Sequence, residues 1–418
     1  MLDIPRFLPD ARLVPLRRVA AACASLGMRS YLVGGFVRDA LLGRPIGDFD
    51  IVIEGDATKV ARRLVKEFGG RATVHPKFHT AAWSIPETFD VQPSTLDLVS
   101  ARSETYEHPA ALPTVKLGSL ADDLRRRDFT VNAMAVSLDE DRFGELADPL
   151  GGRGDLSHGL LRVLHPRSFI DDPTRLFRAV RYAQRYGFRL ASETEATVPP
   201  ALQYVDALSP ERLRHELDLI LDEDDPVPML DQLWALGILQ AARPALPWDE
   251  ATRTRFRQGR SLPSNVNRVR LRWALWLLAS SEKEIRAFNK RLHFDADLKK
   301  TALAASSIFR DLDFFGRARP SECLARLDAL PVDAVRAAAV CAPRGRSRAN
   351  LTMYLEKWKA LKPFANGETL KSLGVPPGPR YGEILSRLRA AWVDGEVASE
   401  EQETALLNEM LARKSNDI

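Results

Sequence analysis

The stretch from Arg29 to Asp56 constrains this chain more than any other. Tyr31-Leu32-Val33 is an apolar, β-favouring run cut off by Gly34-Gly35, a pair that permits positive φ and lets a backbone or a phosphate approach closely. A strand is expected to end there. From Phe36 to Leu42, apolar side chains at 36, 37, 40, 41 and 42 flank Arg38 and Asp39, and Gly43 follows, which predicts a short amphipathic helix closed by glycine. The glycine pair then stands at a helix N-terminus, where free N–H groups favour an anion. Asp48-Phe49-Asp50-Ile51-Val52-Ile53 comes next. In a strand, Asp48 and Asp50 face one way and Phe49, Ile51 and Ile53 the other, with the two carboxylates about 7 Å apart at Cα. Such a pair can hold two divalent ions about 3.5–4 Å apart, which suits activation of an attacking hydroxyl and departure of pyrophosphate. By itself Asp-x-Asp is more often the start of an exposed strand. Behind a strand, a glycine turn and a helix, the metal reading is the stronger one.

At 418 residues the chain has room for about two to four domains. A hydrophobic share of 45% and a charged share of 28% are those of a soluble globular protein. Sixty basic against 56 acidic residues leave +4, a balance that tolerates nucleic acid without requiring it. Cys23, Cys323 and Cys341 have neither zinc-finger nor redox spacing, so a reducing cytoplasm is expected. No run approaches the ~18 apolar residues of a membrane span. Asp3 and Asp10 stand where a signal peptide would carry bare positive charge, and Val19 to Met28 reads as part of a first helix. No glycine-rich loop ends in Gly-Lys-Ser/Thr, so any nucleotide is held by another device.

Further along, Ala57 to Phe68 reads as a charged amphipathic helix ended by Gly69-Gly70, and strands are expected at Arg71 to Val74, Ala81 to Ile85 and Thr95 to Val99. Asp97, between Leu96 and Leu98, points opposite to both; it is either a third carboxylate for the site or an ordinary solvent-facing one. Ala101 to Leu117, with Pro109 and Pro113 and little periodicity, is expected to be a loop that covers a site. Arg125-Arg126-Arg127 repel one another unless an anion is near, a triphosphate being one candidate and an exposed basic helix face the plain alternative. Asp148 to Leu156 is a glycine-rich joint. In Asp172-Pro173-Thr174-Arg175 the proline marks a helix start with Asp172 as its cap, and Arg175, Arg178 and Arg181 recur along one side of that helix. Arg212 and Glu216 are spaced to pair on the next helix. Residues 225–418 are helical in pattern. There, the arginines from Arg253 to Arg272, interleaved with Phe256 and followed by Trp273 and Trp276, form either a phosphate-binding face or a solvated one. Leu373 to Gly382 is a tight turn into a helix beginning near Glu383, and its N–H groups could hold an RNA phosphate. The seven histidines are scattered, with no His-Asp cluster.

Three blocks together resemble the bacterial-type (class II) tRNA nucleotidyltransferase and poly(A) polymerase family: Gly34-Gly35-Phe36-Val37-Arg38-Asp39 with Asp48-Phe49-Asp50, Arg126-Arg127-Asp128-Phe129-Thr130-Val131-Asn132-Ala133, and Asp171-Asp172-Pro173-Thr174-Arg175. The resemblance implies an α+β chain with a small polymerase-β-like nucleotidyltransferase head over 1–150 built on a mixed sheet, then an all-helical neck over 151–222 that selects the nucleobase, a body over 223–290 and a tRNA-binding tail over 291–418. It implies template-independent addition of C and/or A to the 3′ end of tRNA from CTP and ATP, with Mg²⁺ and release of pyrophosphate. Asp48 and Asp50 then hold the metals and Asp97 assists. Gly34, Gly35 and Arg38 cradle the nucleotide, Arg127 contacts its phosphates, Asp128 and Asn132 place the ribose, and Arg178 and Arg181 support the triphosphate. Asp172 and Arg175 read the base: cytosine and adenine both present an amino donor beside a ring-nitrogen acceptor, and uracil and guanine present the reverse, a mismatch of about 1–3 kcal/mol per bidentate contact. The Arg212–Glu216 pair is expected to brace the neck. The segment Tyr106 to Pro113 lacks the arginines expected of a full CCA-adding relative, which leaves CC-only and A-only addition open, along with poly(A) synthesis on mRNA. A non-catalytic tRNA-binding module is the reading of another class. Partners expected are tRNA, CTP and ATP, with no membrane, in a monomer or homodimer.

Overall fold

Alternating and helical apolar spacings take turns along the N-terminal part of the chain, and the backbone follows them. Helix α1 (Asp10–Ser25) leads into β1 (Arg29–Val33), Gly34 turns at φ 65°, and α2 (Gly35–Leu41) starts at once. Then come β2 (Asp50–Glu54), α3 (Ala57–Phe68), β3 (Arg71–His75), β4 (Thr80–Ser84) and β5 (Thr95–Ser100). The boundaries of α3 have visible causes. The Asp56 side chain accepts the Thr58 N–H at 2.9 Å, and Gly69 ends the helix at φ 78°. Its buried face, Val60, Ala61 and Leu64, packs on the sheet. The computed structural model describes residues 2–8, 10–46, 50–76, 79–87, 94–261 and 266–413.

The strands form one mixed sheet in the order β3-β4-β5-β2-β1-β8-β9, where β8 is Ala135–Ser137 and β9 is Leu146–Ala147. β1 is antiparallel to β2, with Val33 opposite Asp50, and β2 is parallel to β5, with Asp50 opposite Asp97. Tyr31, Val33 and Val52 bury one face against Leu124, Ala133 and Ala135. Leu32, Ile51, Ile53 and Leu98 on the other face are fully buried. With both faces covered, only the strand ends are free to carry chemistry.

The segment expected to be a covering loop is instead a β-hairpin, β6 (Arg102–Thr105) with β7 (Thr114–Leu117), paired from Arg102–Leu117 to Thr105–Thr114. Its strands are too short to show alternation, and Pro109 and Pro113 fall in and beside its tip. α4 (Leu120–Arg125) follows, capped by Ser119. The glycine-rich joint is a packed helix start. Asp148 accepts the N–H groups of Gly152 and Arg153 at 2.6 and 2.9 Å, and a Cβ on Gly152 would stand 2.2 Å from the Thr130 carbonyl oxygen, so α5 (Gly152–Ser157) admits no larger residue there. α6 (Thr174–Tyr186) and α7 (Pro210–Asp222) complete the part that concerns the site.

The chain divides into two compact units, Met1–Glu216 with Asp231–Ala242, and Leu217–Leu230 with Arg243–Ile418. Beyond Leu190 the described residues contain no strand. In the second unit α8 (Glu250–Gln258) and α9 (Arg268–Trp276) surround an aromatic cluster in which Trp273 and Trp276 stack at 5.1 Å. Their arginines are engaged within the fold. Arg257 and Arg253 pair with Glu250, Arg260 with Asp225, and Arg270 with Asp297, while Arg272 donates to the carbonyls of Leu221, Glu223 and Asp224 at the end of α7. Neither reading of this basic stretch, a phosphate-binding face or a solvated one, included these internal contacts. α10 (Pro379–Asp394) begins four residues before the expected Glu383, with Pro379 in its first turn, and packs with α11 (Glu400–Arg413) around Leu370, Ile384, Leu388 and Leu407. No helix among the described residues is long and apolar enough to cross a membrane.

Candidate active site

Register builds the site from its floor. Because Val33 pairs with Asp50, the Gly34-Gly35 turn at the end of β1 lies beside the first residue of β2, and the in-register parallel neighbour puts Asp97 next to Asp50. Both aspartates stand toward the free end of an otherwise buried pair of strands. Burial of its carboxyl raises the pKa of Asp50, and the negative charges of Asp97 and Asp123 push it the same way against the pull of Arg127 and Arg126. Excess anionic charge on hard oxygen donors is what a divalent cation relieves, so this pair fits Mg²⁺. Asp48, the expected partner of Asp50, lies outside the described residues. Among those described, no group of three or more His, Cys, Asp or Glu side chains is gathered as a metal site.

Above the floor, Asp123 holds the arginine run in place. It is fully buried, and takes Arg126 Nη2 at 2.6 Å and Arg127 Nη2 at 2.8 Å. Arg126 also donates to Glu104 of β6 at 2.9 Å. With its Nε and Nη2 tied to Asp123, Arg127 has Nη1 directed at the glycine turn, where a Cβ on Gly34 would stand 2.7 Å away. The positive φ of Gly34 and this close approach both require glycine.

A chain of charged hydrogen bonds then crosses from the sheet to α6. Arg38, 6% exposed, donates to Asp39 from Nε and Nη2 and to Asn132 Oδ1 from Nη1 at 2.6 Å. Asn132 donates to Asp128 Oδ1 at 2.9 Å, and Asp128 Oδ2 accepts Arg178 Nε and Nη2 at 2.9 and 2.6 Å. Burial works to raise the pKa of Asp128, but Arg178 and the hydrogen bonds from Asn132 and Arg178 hold it down at about 2. Arg178 is stabilised as a cation in turn by Asp128.

The expected base-reading couple lies on the same wall. Asp172 was expected to cap α6, but Pro173 holds that position; Asp172 stands one residue earlier, its Oδ1 accepting the Thr174 N–H at 3.1 Å and hydroxyl at 2.6 Å. Arg175, 5% exposed, donates to the Ser168 hydroxyl and to the Arg126 carbonyl, each at 2.7 Å. Arg181 is buried one turn beyond Arg178. A single cavity of about 610 Å³ is lined by Gly34, Gly35, Arg38, Asp50, Arg127, Asp128 and Asn132 from the sheet side and by Asp172, Arg175, Arg178 and Arg181 from the helices. Asp97 is not part of its lining, though its backbone stands opposite that of Asp50.

Arg212 does not pair with Glu216 as its helical spacing suggested. It donates instead to Asp172 Oδ1 at 2.6 Å, because α7 lays that arginine against the turn before α6, while Glu216 is buried with Oε2 unpartnered and its pKa raised by burial against Arg178, Arg181 and His215. Sequence reasoning also missed Asp123, Glu104 and Tyr106. Asp123 had a signal, since it stands three and four residues before Arg126 and Arg127. Glu104 and Arg212 had none. Their partners are 22 and 40 residues away.

A mixed sheet carrying carboxylates at its strand ends, opened onto an arginine-lined cavity, is a nucleotidyltransferase architecture, and a family profile described as "Poly A polymerase head domain" matches residues 30–162. A second, "Probable RNA and SrmB- binding site of polymerase A", matches residues 187–248. The chain is 34% identical over 97% of its length to an A-adding tRNA nucleotidyltransferase of Halalkalibacterium halodurans, of which it covers 94%. It is 34% identical to a CC-adding tRNA nucleotidyltransferase of Deinococcus radiodurans over 91% of this chain and 89% of that one. The solved Thermotoga maritima CCA-adding enzyme complexed with tRNA superposes with a TM-score of 0.77 at 27% identity, over 98% of this chain and 97% of that one. The chain therefore belongs to the bacterial-type family of tRNA nucleotidyltransferases and poly(A) polymerases.

Proposed function

We propose that this protein adds A, C or both to the 3′ end of tRNA without a nucleic-acid template, taking them from ATP and CTP and releasing pyrophosphate. The observation that carries the reading is the common cavity shared by the glycine turn, Asp50, the Arg127–Asp128–Asn132 block and the Asp172–Arg175 couple. Arg127 Nη1 and the Gly35 N–H at the start of α2 receive the phosphates, with Arg181 behind them, while the Gly34 N–H is held by the Met134 carbonyl. Asn132, held by Arg38 and Asp128, meets the ribose. Asp172 Oδ2 accepts the amino group of the base while Arg175, fixed by Ser168 and the Arg126 carbonyl, donates to the ring nitrogen. Asp48 and Asp50 would hold Mg²⁺, with Asp97 beside Asp50 assisting, and the ion when bound would supply polarisation of the α-phosphate and a more acidic 3′ hydroxyl. What the chain itself contributes is mostly alignment and charge neutralisation of the nucleotide, in a cavity whose dipoles are already in place.

Head (1–150) and neck (151–222) carry the chemistry in this reading, and body (223–290) and tail (291–418) hold the tRNA. The buried Cys23 thiol, its pKa pushed up to about 12 by burial, suits a cytoplasmic protein with no disulfide chemistry. Purified protein incubated with Mg²⁺, each labelled NTP and tRNAs ending at the discriminator base, at C and at CC tests the proposal. Incorporation of A on the CC end alone makes it an A-adding enzyme, C on the two shorter ends a CC-adding one, and all three steps a CCA-adding one. Long A tracts make it a poly(A) polymerase. No incorporation on any end, with tRNA still bound, leaves only a binding module.

A further inference from the structure

A second cavity, of about 480 Å³, shares a wall with the one that faces the nucleotide. Glu104, Tyr106, Arg126 and Arg175 line both, so these four side chains are all that separates them. Beyond the wall the lining continues with Arg125 at the end of α4 and Asp122 one turn before it, and with His165, Arg167 and Asp171 from the segment leading into α6. A volume of this order is that of a small-molecule site.

The carboxylates of this cavity are engaged, and several of its cations are not. Glu104 accepts Arg102 at 3.1 Å, Arg126 at 2.9 Å and the Tyr106 hydroxyl at 3.3 Å. Asp122 Oδ2 accepts the N–H and the hydroxyl of Ser119 at 2.9 and 2.7 Å. Asp171 takes Arg167 at 3.3 Å and stands 4.0 Å from His165. Arg125, by contrast, is exposed and has no carboxylate within ion-pair distance among the described residues. Nor has Arg175, which is buried and donates to the Ser168 hydroxyl and the Arg126 carbonyl instead. A buried guanidinium without a counter-anion is costly. His165 reports the sign of the field: burial lowers its pKa, and Arg175 lowers it further by more than Asp171 raises it, with Arg167 adding to the fall. The carboxylate beside the imidazole is outweighed by the guanidiniums around it.

We propose that this second cavity is an oxyanion site for a small phosphate-bearing ligand, held by Arg125, Arg167 and His165 and lying across the Arg126–Arg175 wall from the nucleotide. Guanidinium forks match phosphate oxygens two at a time, and an anion here supplies Arg175 with the countercharge that the fold does not provide. Two sources share this chemistry, free inorganic phosphate and the pyrophosphate that the proposed reaction releases. The site itself does not depend on that reaction; only the second source does.

The test compares the whole chain with a variant carrying Arg125→Gln and Arg167→Gln, two exposed positions outside the nucleotide cavity. Binding of inorganic phosphate and, separately, of pyrophosphate is measured by calorimetry without Mg²⁺, with the nucleotide cavity filled by a non-hydrolysable ATP analogue. Thermal unfolding without ligand checks that the variant folds. In wild type one equivalent of anion binds beside the analogue, and the His165 imidazole resonances, identified with His165→Gln, move as it binds. In the double variant that equivalent binds more weakly by roughly tenfold or more for each guanidinium removed, while Kd for the analogue stays within about twofold of wild type. Tighter pyrophosphate than phosphate ties the site to the product of nucleotide transfer, and equal or weaker binding ties it to free phosphate; either supports the site. No equivalent beyond the analogue at millimolar anion overturns the proposal. So does an equivalent that the double variant binds as tightly as wild type, or one that leaves the His165 resonances where they were. Wild type that neither binds the analogue nor transfers a nucleotide defeats the proposed function, while the equivalent lost in the double variant still decides this site.

Discussion

Two arginine-rich stretches, α6 in the first unit and α8–α9 in the second, look alike as sequence and behave differently as structure. On α6, Arg178 meets the carboxylate of Asp128, and the pair raises one pKa while holding the other at about 2. On α9, Arg272 meets backbone carbonyls, and burial, helped by the charge of Arg268, lowers its pKa to about 10. A guanidinium facing a carboxylate in an open polar cavity keeps its full charge and can exchange partners with a phosphate. One seated on carbonyls is a cap, and it stabilises the end of α7 at some electrostatic cost to itself. The density of arginines says little about function. Their partners decide it.

The comparison can be broken most directly from the first unit. Asp50→Asn should lower nucleotide incorporation by about a thousand-fold or more, with tRNA affinity unchanged by filter binding, since it removes a metal oxygen and no RNA contact. Asp128→Asn leaves Arg178 without its anion in a largely buried place and should cost about 2–3 kcal/mol in urea unfolding. The wild-type pair also has a pH signature. The folded pKa of Asp128 lies below its ordinary value of 3.8, so its contribution is fully present above that value and is lost as pH falls toward 2. The stability profile of Asp128→Asn should be flatter than wild type across that window.

Gly34→Ala forces a left-handed alanine and displaces Arg127, with an expected cost of about 1–2 kcal/mol and a raised KM for the nucleotide in steady-state kinetics. In the second unit the effects should be confined to stability. Arg272→Met strips the carbonyls ending α7 and is expected to lower the unfolding free energy by about 1–2 kcal/mol with kcat unchanged. Arg257→Gln, whose partner Glu250 is 68% exposed, should shift it by less than about 0.5 kcal/mol and leave the salt dependence of tRNA binding as it was. A steep loss of tRNA affinity in either second-unit variant would show that the contrast between the two stretches is wrong.

The parts of the site that were legible are those made by local rules. The end of β1 at Gly34, the short helix behind it and the bounds of α3 follow from apolar spacing and glycine placement alone. Asp123 was within reach for the same reason, being one helical turn from the arginines it holds. The β6–β7 hairpin was not, because four-residue strands show too little alternation to register and are defined by each other. Arg212 illustrates the limit. Helical spacing offered it Glu216, but a charge-assisted hydrogen bond goes to whichever carboxylate the packing brings within reach, and that was Asp172.

By itself the sequence determined the order of strand, glycine turn, helix and carboxylate strand, since each depends on interactions within a few residues. Strand pairing brought Asp97 beside Asp50, and helix packing decided which arginine serves which acid. Those choices belong to the tertiary structure, because hydrogen bonds and charge pairs act over a few ångströms and carry no trace in the spacing of residues that are tens of positions apart.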